Sequence, residues 1–407
     1  MVGTATPLHA SGTPHSQKKT YSKFRTVCAV LALSLGCFTF VSTELMPVGV
    51  LPSMAQGLGV SLGAAGYLIT VFAFVVALTA APLTGMLGGI NRKALMTGLL
   101  AVCCLGNLIT FLASGYFVVF LARILVAGAI GVFWSTAVVT AVHLVSERNA
   151  VRATSIVFGG VSLAAVLGIP AGTLLGEMRG WHSVFAALSL LSLVAFTVIA
   201  WSVPAVRISK TSTRNAVASI LRNGPLLAVF ATTALVVTGN FLSYTYITPY
   251  LEQIAGESSE SISLLLLVYG GAGVVANFAI GPFARSCLQA SLGIVTALLV
   301  ISLAVMGLAS HNSILLVLVL ILWGAAYGAL PVLLQTAVFK GASAIEGSAD
   351  AATALNVALF NGAVGFGSLL GGVIINIAGP LPIPYVSAAF ALAGLIVIVA
   401  TRKLASR

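Results

Sequence analysis

The chain has 407 residues, of which 59% are hydrophobic and only 7% charged, against about 25% charged in soluble domains. That balance excludes an ordinary soluble enzyme. The formal charge of +11 is spread over short polar gaps between apolar runs, so it argues for membrane topology and against a nucleic-acid partner.

The first 22 residues are polar, with Gly, Ser, Thr, Pro and His, and residues 1–25 read as a disordered cytoplasmic tail. A cleaved leader is not expected, because the apolar run behind the tail is itself of spanning length. Twelve such runs follow, at 26–50, 63–87, 94–113, 117–143, 152–176, 182–203, 224–249, 261–285, 290–309, 313–338, 349–378 and 382–402. Each is near the roughly 20 residues that cross a hydrocarbon core of about 30 Å. Backbone N–H and C=O groups cannot stay unpaired in lipid, so the runs are predicted helices and the chain an all-α membrane protein of twelve transmembrane helices.

The first span ends in Thr43-Glu44-Leu45-Met46-Pro47. Glu44 is a carboxylate within apolar sequence, where ionisation costs about 2.5–3.5 kcal/mol on insertion scales. It should face protein or water, and it is the first candidate for proton exchange. The bland alternative is a cap near the outer interface. Arg123, near the start of the fourth span, lies at a similar depth, roughly 10 Å from the outer end. It either holds Glu44 ionised or bonds backbone carbonyls around Pro47, and both readings stay open. In the fifth span Gly168, Gly172 and Gly176 share one face and permit close approach to a neighbouring helix, while Pro170 removes one helical hydrogen bond.

Other polar and aromatic residues inside spans are candidates for a substrate cavity: Asn107, Trp134, Ser135, Asn240, Tyr244, Tyr246, Tyr269, Asn277, Trp323, Tyr327, Asn356 and Asn361, with Gln335 beside them. Amides, hydroxyls and aromatic faces suit an uncharged polar solute, although the same residue types also bond helices together and mark interfaces. The five cysteines, Cys28, Cys37, Cys103, Cys104 and Cys287, have no metal-ligand spacing and read as packing residues. No metal or cofactor is expected.

Seventeen of the nineteen basic residues fall in alternate gaps or at the termini, beginning with Lys18, Lys19, Lys23 and Arg25, then Arg92 and Lys93. Arg179 is the one basic residue in the intervening gaps, and Glu252, Glu257 and Glu260 share one of those gaps. Positive loops stay in the cytoplasm, which predicts both termini inside a cell membrane. The longest polar gap, 204–223, holds Arg207, Lys210, Arg214 and Arg222 and reads as a cytoplasmic linker between six-helix bundles at 26–203 and 224–407. Internal echoes support the division. Gly172-Thr-Leu-Leu-Gly176 is matched by Gly367-Ser-Leu-Leu-Gly371, Phe133-Trp134 by Leu322-Trp323, and Pro47 by Pro249. Each links span n to span n+6, the pattern of two parallel repeats in a transporter.

Several segments together carry a family resemblance: Thr43-Glu44-Leu45-Met46-Pro47-Val48-Gly49, Arg123, Gly131-Val-Phe-Trp-Ser135, Gly168-Ile-Pro170-Ala-Gly172-Thr-Leu-Leu-Gly176-Glu177, Gly180-Trp181-His182-Ser-Val-Phe185, Tyr244-Thr-Tyr246-Ile-Thr-Pro249 and Gly270-Gly-Ala-Gly273. Over residues 24–403 the chain resembles major facilitator superfamily exporters of the drug–proton antiporter branch, most of all bacterial arabinose, thiogalactoside and purine ribonucleoside efflux proteins. The resemblance implies the major facilitator fold, a monomer, and alternating access driven by inward proton movement. In that family the glycine–proline stretch of the fifth span marks exporters. The chain departs from the pattern in three places. The loop Gly85-Met-Leu-Gly-Gly-Ile-Asn-Arg92-Lys93 lacks the usual acidic residue, Ala127 stands near an expected glycine, and His182 replaces the commoner Arg.

The expected function is proton-coupled efflux of a small polar solute such as a sugar, nucleoside or antibiotic. A facilitative uniporter or importer of the same fold is the alternative, and an intramembrane enzyme or channel a distant third. The chain has no phosphate-binding loop, no His-Glu-x-x-His and no Gly-x-Ser-x-Gly. The expected partners are thus a small molecule, protons and the lipid bilayer.

Overall fold

The structure, a computed structural model, describes residues 23–87, 89–205, 220, 222–310, 312–342 and 349–405. The first 22 residues of the predicted tail and most of the predicted linker lie outside these. Among the described residues twelve helices are long and apolar enough to cross a membrane. We number them α1 (Lys23–Gly49), α2 (Leu62–Leu87), α3 (Arg92–Leu112), α4 (Tyr116–Leu144), α5 (Arg152–Arg179), α6 (Trp181–Ser202), α7 (Gly224–Tyr244), α8 (Ser259–Ala279), α9 (Leu288–Ala309), α10 (Ser313–Ala342), α11 (Ala352–Ala378) and α12 (Ile383–Thr401). An even number of spans puts both ends of the chain on one face, here called proximal; the opposite face is distal.

Polar residues in the gaps start helices by accepting from the first free N–H groups. The Asn91 side chain accepts from Ala94 N at 2.8 Å, Asn223 from Leu226 N at 3.0 Å and Asn312 from Leu315 N at 3.0 Å. Between α5 and α6 the chain reverses at Gly180, whose φ of +81° favours glycine.

Two predicted spans are interrupted, and a third is followed at once by a short helix. The run 224–249 breaks after Tyr244, and a short helix, Ile247–Gln253, follows. α1 stops at Gly49 and continues as Leu51–Leu58. The run 261–285 divides at Ile280 into α8 and the short helix Gly281–Ser286. α5 changes register without breaking: Ala164–Gly168 form one π-turn ahead of Pro170, which lacks the N–H of a regular ladder.

Spans α1–α6 pack mainly on one another, through α3 with α6, α2 with α4, and α1 with α5 and α6. In the second half α8 packs on α10, α7 on α11 and α12, and α9 on α10 and α12. Glycine lets α8 and α10 touch backbone to backbone. A Cβ on Gly273 would sit 3.0 Å from the Gly324 carbonyl, and one on Gly328 would overlap Gly273. Of the cysteines, Cys37 and Cys103 are buried, as packing residues should be, but Cys287 is exposed in the gap before α9.

The halves meet along α2 with α11 and α5 with α8. Toward the distal face they share cores: Val48, Ile69, Ala73 and Ile169 join a cluster otherwise from the second half, and Leu51, Ala55 and Ala65 pack with Leu242, Tyr246, Ile375 and Ile383. Toward the proximal face the two cores are separate among the described residues. One is built on α1 to α6, the other on Leu226, Phe230, Val338 and Ala342.

Candidate functional site

The site begins with a defect in α1. In a regular helix the carbonyl of residue i accepts from the N–H of residue i+4. Pro47 has no N–H, so the Thr43 carbonyl loses its helical donor. Arg123 of α4 supplies the replacement. Its Nη1 donates to Thr43 O, its Nη2 donates to Glu44 O at 2.8 Å, and its Nε donates to Leu68 O of α2 at 3.4 Å. The guanidinium also lies 4.1 Å from the centre of the Phe72 ring, a favourable cation–π position. Arg123 is 1% exposed. Its hydrogen bonds go to backbone carbonyls around Pro47 and on α2, it makes no salt bridge with the Glu44 carboxylate, and its charge is within electrostatic reach of that carboxylate.

The Thr43 side chain continues the network. Asn107 Nδ2 donates to Thr43 Oγ1 at 3.0 Å and to Cys103 O at 3.0 Å, and Ser192 Oγ contacts Cys103 Sγ at 3.4 Å. Asn107, expected at a substrate cavity, thus holds α3 against α1 through its Nδ2, while its buried Oδ1 is left without a partner. It is buried, since polar groups enclosed among helices must bond to one another.

Glu44 has its main chain fixed by Arg123 and its side chain free. It is half-buried, and among the described residues its carboxylate has no hydrogen-bond or ion-pair partner. It lies within electrostatic reach of Arg123 on its own half and of the Tyr327 phenol on the other. The residue next to it, Leu45, packs on the core of the second half.

Facing it is an aromatic cluster from α7, α8 and α10. The Tyr244 and Tyr269 rings stack at 5.1 Å, and Trp323 meets Tyr269 edge-on at 5.2 Å. Phe241 meets Tyr244 and Tyr327, each at 5.8 Å. The Trp323 indole N–H donates to Asn240 Oδ1 at 2.8 Å, which leaves the buried Asn240 Nδ2 without an acceptor. The Tyr269 hydroxyl is also buried without a partner. Unpaired buried polar groups of this kind cost stability unless something else satisfies them.

Of the remaining cavity candidates, Tyr327 and Asn277 are half-buried, and Asn277 donates to Gly328 O at 3.0 Å. Trp134 is half-buried against Phe158 at 6.0 Å, and Ser135 is exposed, bonded to Thr84 at 2.9 Å. Asn361 returns its amide to its own helix at Val357 O. Asn356 and Tyr246 differ from expectation. Asn356 is buried between Thr233 and Gln335, at 3.1 Å from each, and Tyr246 is fully enclosed at the distal seam. Both follow from packing across helices, which composition does not display.

The glycines of α5 lie against α1. Cβ atoms on Gly168 and Gly176 would stand 2.6 Å from Ser42 Oγ and 2.7 Å from Val50 Cγ1, and one on Gly172 would overlap Met46. The π-turn ahead of Pro170 meets α8, where a Cβ on Gly270 would be 2.6 Å from the Ala165 carbonyl. The contacts of Arg123 with Leu68 O and the Phe72 ring of α2 were not expected, whereas carbonyls around Pro47 were one of its two readings. The one available signal was Pro47, whose missing N–H marks a carbonyl needing a donor.

The comparisons with known proteins agree with this architecture. The Major Facilitator Superfamily profile matches residues 31–349. Among solved structures, a point mutant of the nucleoside transporter NupG superposes with a TM-score of 0.77 at 12% identity, over 92% of this chain and 99% of that one. A bacterial homologue of the human lysosomal transporter Spinster, inward-facing and unoccupied, gives 0.68 at 16% identity over 94% and 95%. The human organic anion transporter MFSD10 gives 0.63 at 16% identity over 93% and 100%. At such identities these likenesses speak for the fold alone. The profile match over residues 31–349, together with twelve spans among the described residues, shows that the chain belongs to the Major Facilitator Superfamily of secondary transporters for small solutes.

Proposed function

We propose that the protein is a proton-coupled exporter of a small polar organic solute, working by alternating access between bundles at 26–203 and 224–407. The observation that carries this reading is the Glu44 carboxylate: half-buried in a span, without a hydrogen-bond or ion-pair partner among the described residues, and within electrostatic reach of Arg123 and the Tyr327 phenol. An ionised carboxylate is costly in such a place, so a proton can settle there at one stage of the cycle and leave at another. Arg123 keeps the Glu44 main chain in position by its bonds to Thr43 O and Glu44 O.

The solute meets the second half through Tyr244, Tyr269, Tyr327 and Trp323, with the free donors of Asn240 and Tyr269 available to its acceptors. Aromatic faces with a few convergent polar groups suit a neutral, oxygen-rich solute such as a sugar, nucleoside or phenicol antibiotic. Positive charge in the gaps of the proximal face supports an orientation with both termini in the cytoplasm. On that orientation the shared distal cores close the protein toward the outside.

The test is transport in proteoliposomes under an imposed pH gradient, after a screen of sugars, nucleosides and phenicols. Glu44→Gln keeps volume and hydrogen bonding but holds no exchangeable acidic proton. We expect gradient-driven uphill transport to vanish while solute exchange at equal pH persists. Undiminished uphill transport by Glu44→Gln rejects the coupling role, and a wild-type protein indifferent to the gradient points to a facilitative carrier.

A further inference from the structure

We infer that Tyr246 is the plug of the distal gate, seated in a glycine socket built by both halves of the molecule. The residue lies in the break between α7 and the short helix Ile247–Gln253, where the chain leaves helical geometry, and it is 0% exposed. Its ring fills the space left by three missing side chains. A Cβ on Gly371 of α11 would stand 2.6 Å from the ring, and one on Gly372 would stand 2.7 Å from the hydroxyl. A Cβ on Gly66 of α2 would overlap that hydroxyl. Two walls of the socket therefore belong to the second half and one to the first.

The phenol is anchored on its own half. It donates to Ser368 O at 3.0 Å, and the neighbouring Thr245 hydroxyl bonds Ser368 Oγ at 2.7 Å. Two hydrogen bonds between the halves flank the plug, from Thr248 Oγ1 to Val48 O at 2.8 Å and from Gly63 N to Asn376 Oδ1 at 3.2 Å. When the distal ends separate, α2 must carry Gly66 away while Tyr246 stays with α11. Opening must therefore uncover this aromatic ring and break these two hydrogen bonds as it parts the shared distal cores, and the plug adds a discrete all-or-none contact to that seam. Tyr246 is two residues from Tyr244 of the aromatic cluster, so the gate and that cluster lie on the two sides of one helix break. The inference holds whichever solute or ion is carried.

The experiment places a reporter cysteine at the buried Ala65, which packs with Tyr246. Purified Ala65→Cys protein in lipid nanodiscs is treated with a soluble maleimide, and labelling at position 65 is followed by mass spectrometry. Tyr246→Ala should raise the labelling rate about tenfold, as expected when the closed state loses that factor in population. Gly66→Ala should also open the seam, and it should have no further effect once Tyr246→Ala has removed the atoms it strikes. If Tyr246→Ala fails to fold, Tyr246→Leu serves instead, because loss of the phenol removes the hydroxyl and the ring atoms Cζ and Cε1 that a Cβ on Gly66 would strike. Wild-type labelling in the Tyr246 variants, or a Gly66→Ala effect equal with and without the phenol, overturns the assignment.

Discussion

The bond between Arg123 and the carbonyl freed by Pro47 makes a quantitative prediction through a double-mutant cycle. Arg123→Met retains apolar bulk over Phe72 but removes the donors to Thr43 O, Glu44 O and Leu68 O. Glu44 O and Leu68 O have regular helical partners to fall back on, whereas Thr43 O has none. Stranding that one carbonyl should cost about 1–3 kcal/mol, and loss of the cation–π contact about 0.5–2 kcal/mol more. Pro47→Ala restores an N–H four residues after Thr43, so the carbonyl regains its helical donor. The double variant should then be less damaged than the sum of the singles by about 1–2 kcal/mol, a coupling typical of residues sharing one partner. The assay is denaturant or thermal unfolding of the purified protein in one detergent, for all four members of the cycle. Strict additivity refutes the reasoning, because it means Arg123 is not serving the carbonyl that Pro47 abandons.

Two further outcomes follow from the same geometry. Trp323→Phe keeps the ring but leaves the buried Asn240 amide with neither end paired; it should lower unfolding stability by about 1–2 kcal/mol, and Asn240→Leu should recover part of that loss. Cysteine labelling in intact cells should find positions 93 and 285 on the cytoplasmic side and position 257 outside, in keeping with the alternation of basic and acidic gaps; position 93 reacting from outside reverses the orientation.

The architecture was largely legible without coordinates because lipid imposes a one-dimensional rule. A span must be about twenty apolar residues long and helical, so counting runs yields all twelve helices, with ends displaced by only a few residues. Glu44 and Arg123 were legible for the same reason, since any charge in such a run is conspicuous. What the pattern does not carry is direction around each helix and partnership across helices. Tyr244 and Tyr246 are two residues apart and alike in chemistry, yet one joins the aromatic cluster facing Glu44 and the other is locked into Gly66, Gly371 and Gly372. A break at Thr245 separates them, and hydropathy averaged over a span is blind to it. Asn107 and Asn356 look like cavity residues until the structure shows their bonds to Thr43 and Thr233.

Arg123 shows most clearly where the boundary lies. Its presence in α4 and the missing N–H at Pro47 are properties of the chain. That the one answers the other depends on α1 and α4 crossing at a depth where a guanidinium reaches Thr43 O. Hydrophobic thickness and backbone hydrogen bonding act locally and can be read from sequence. The pairing of polar groups between helices is decided only by tertiary packing, because each buried group takes whichever partner the assembled bundle brings within about 3 Å.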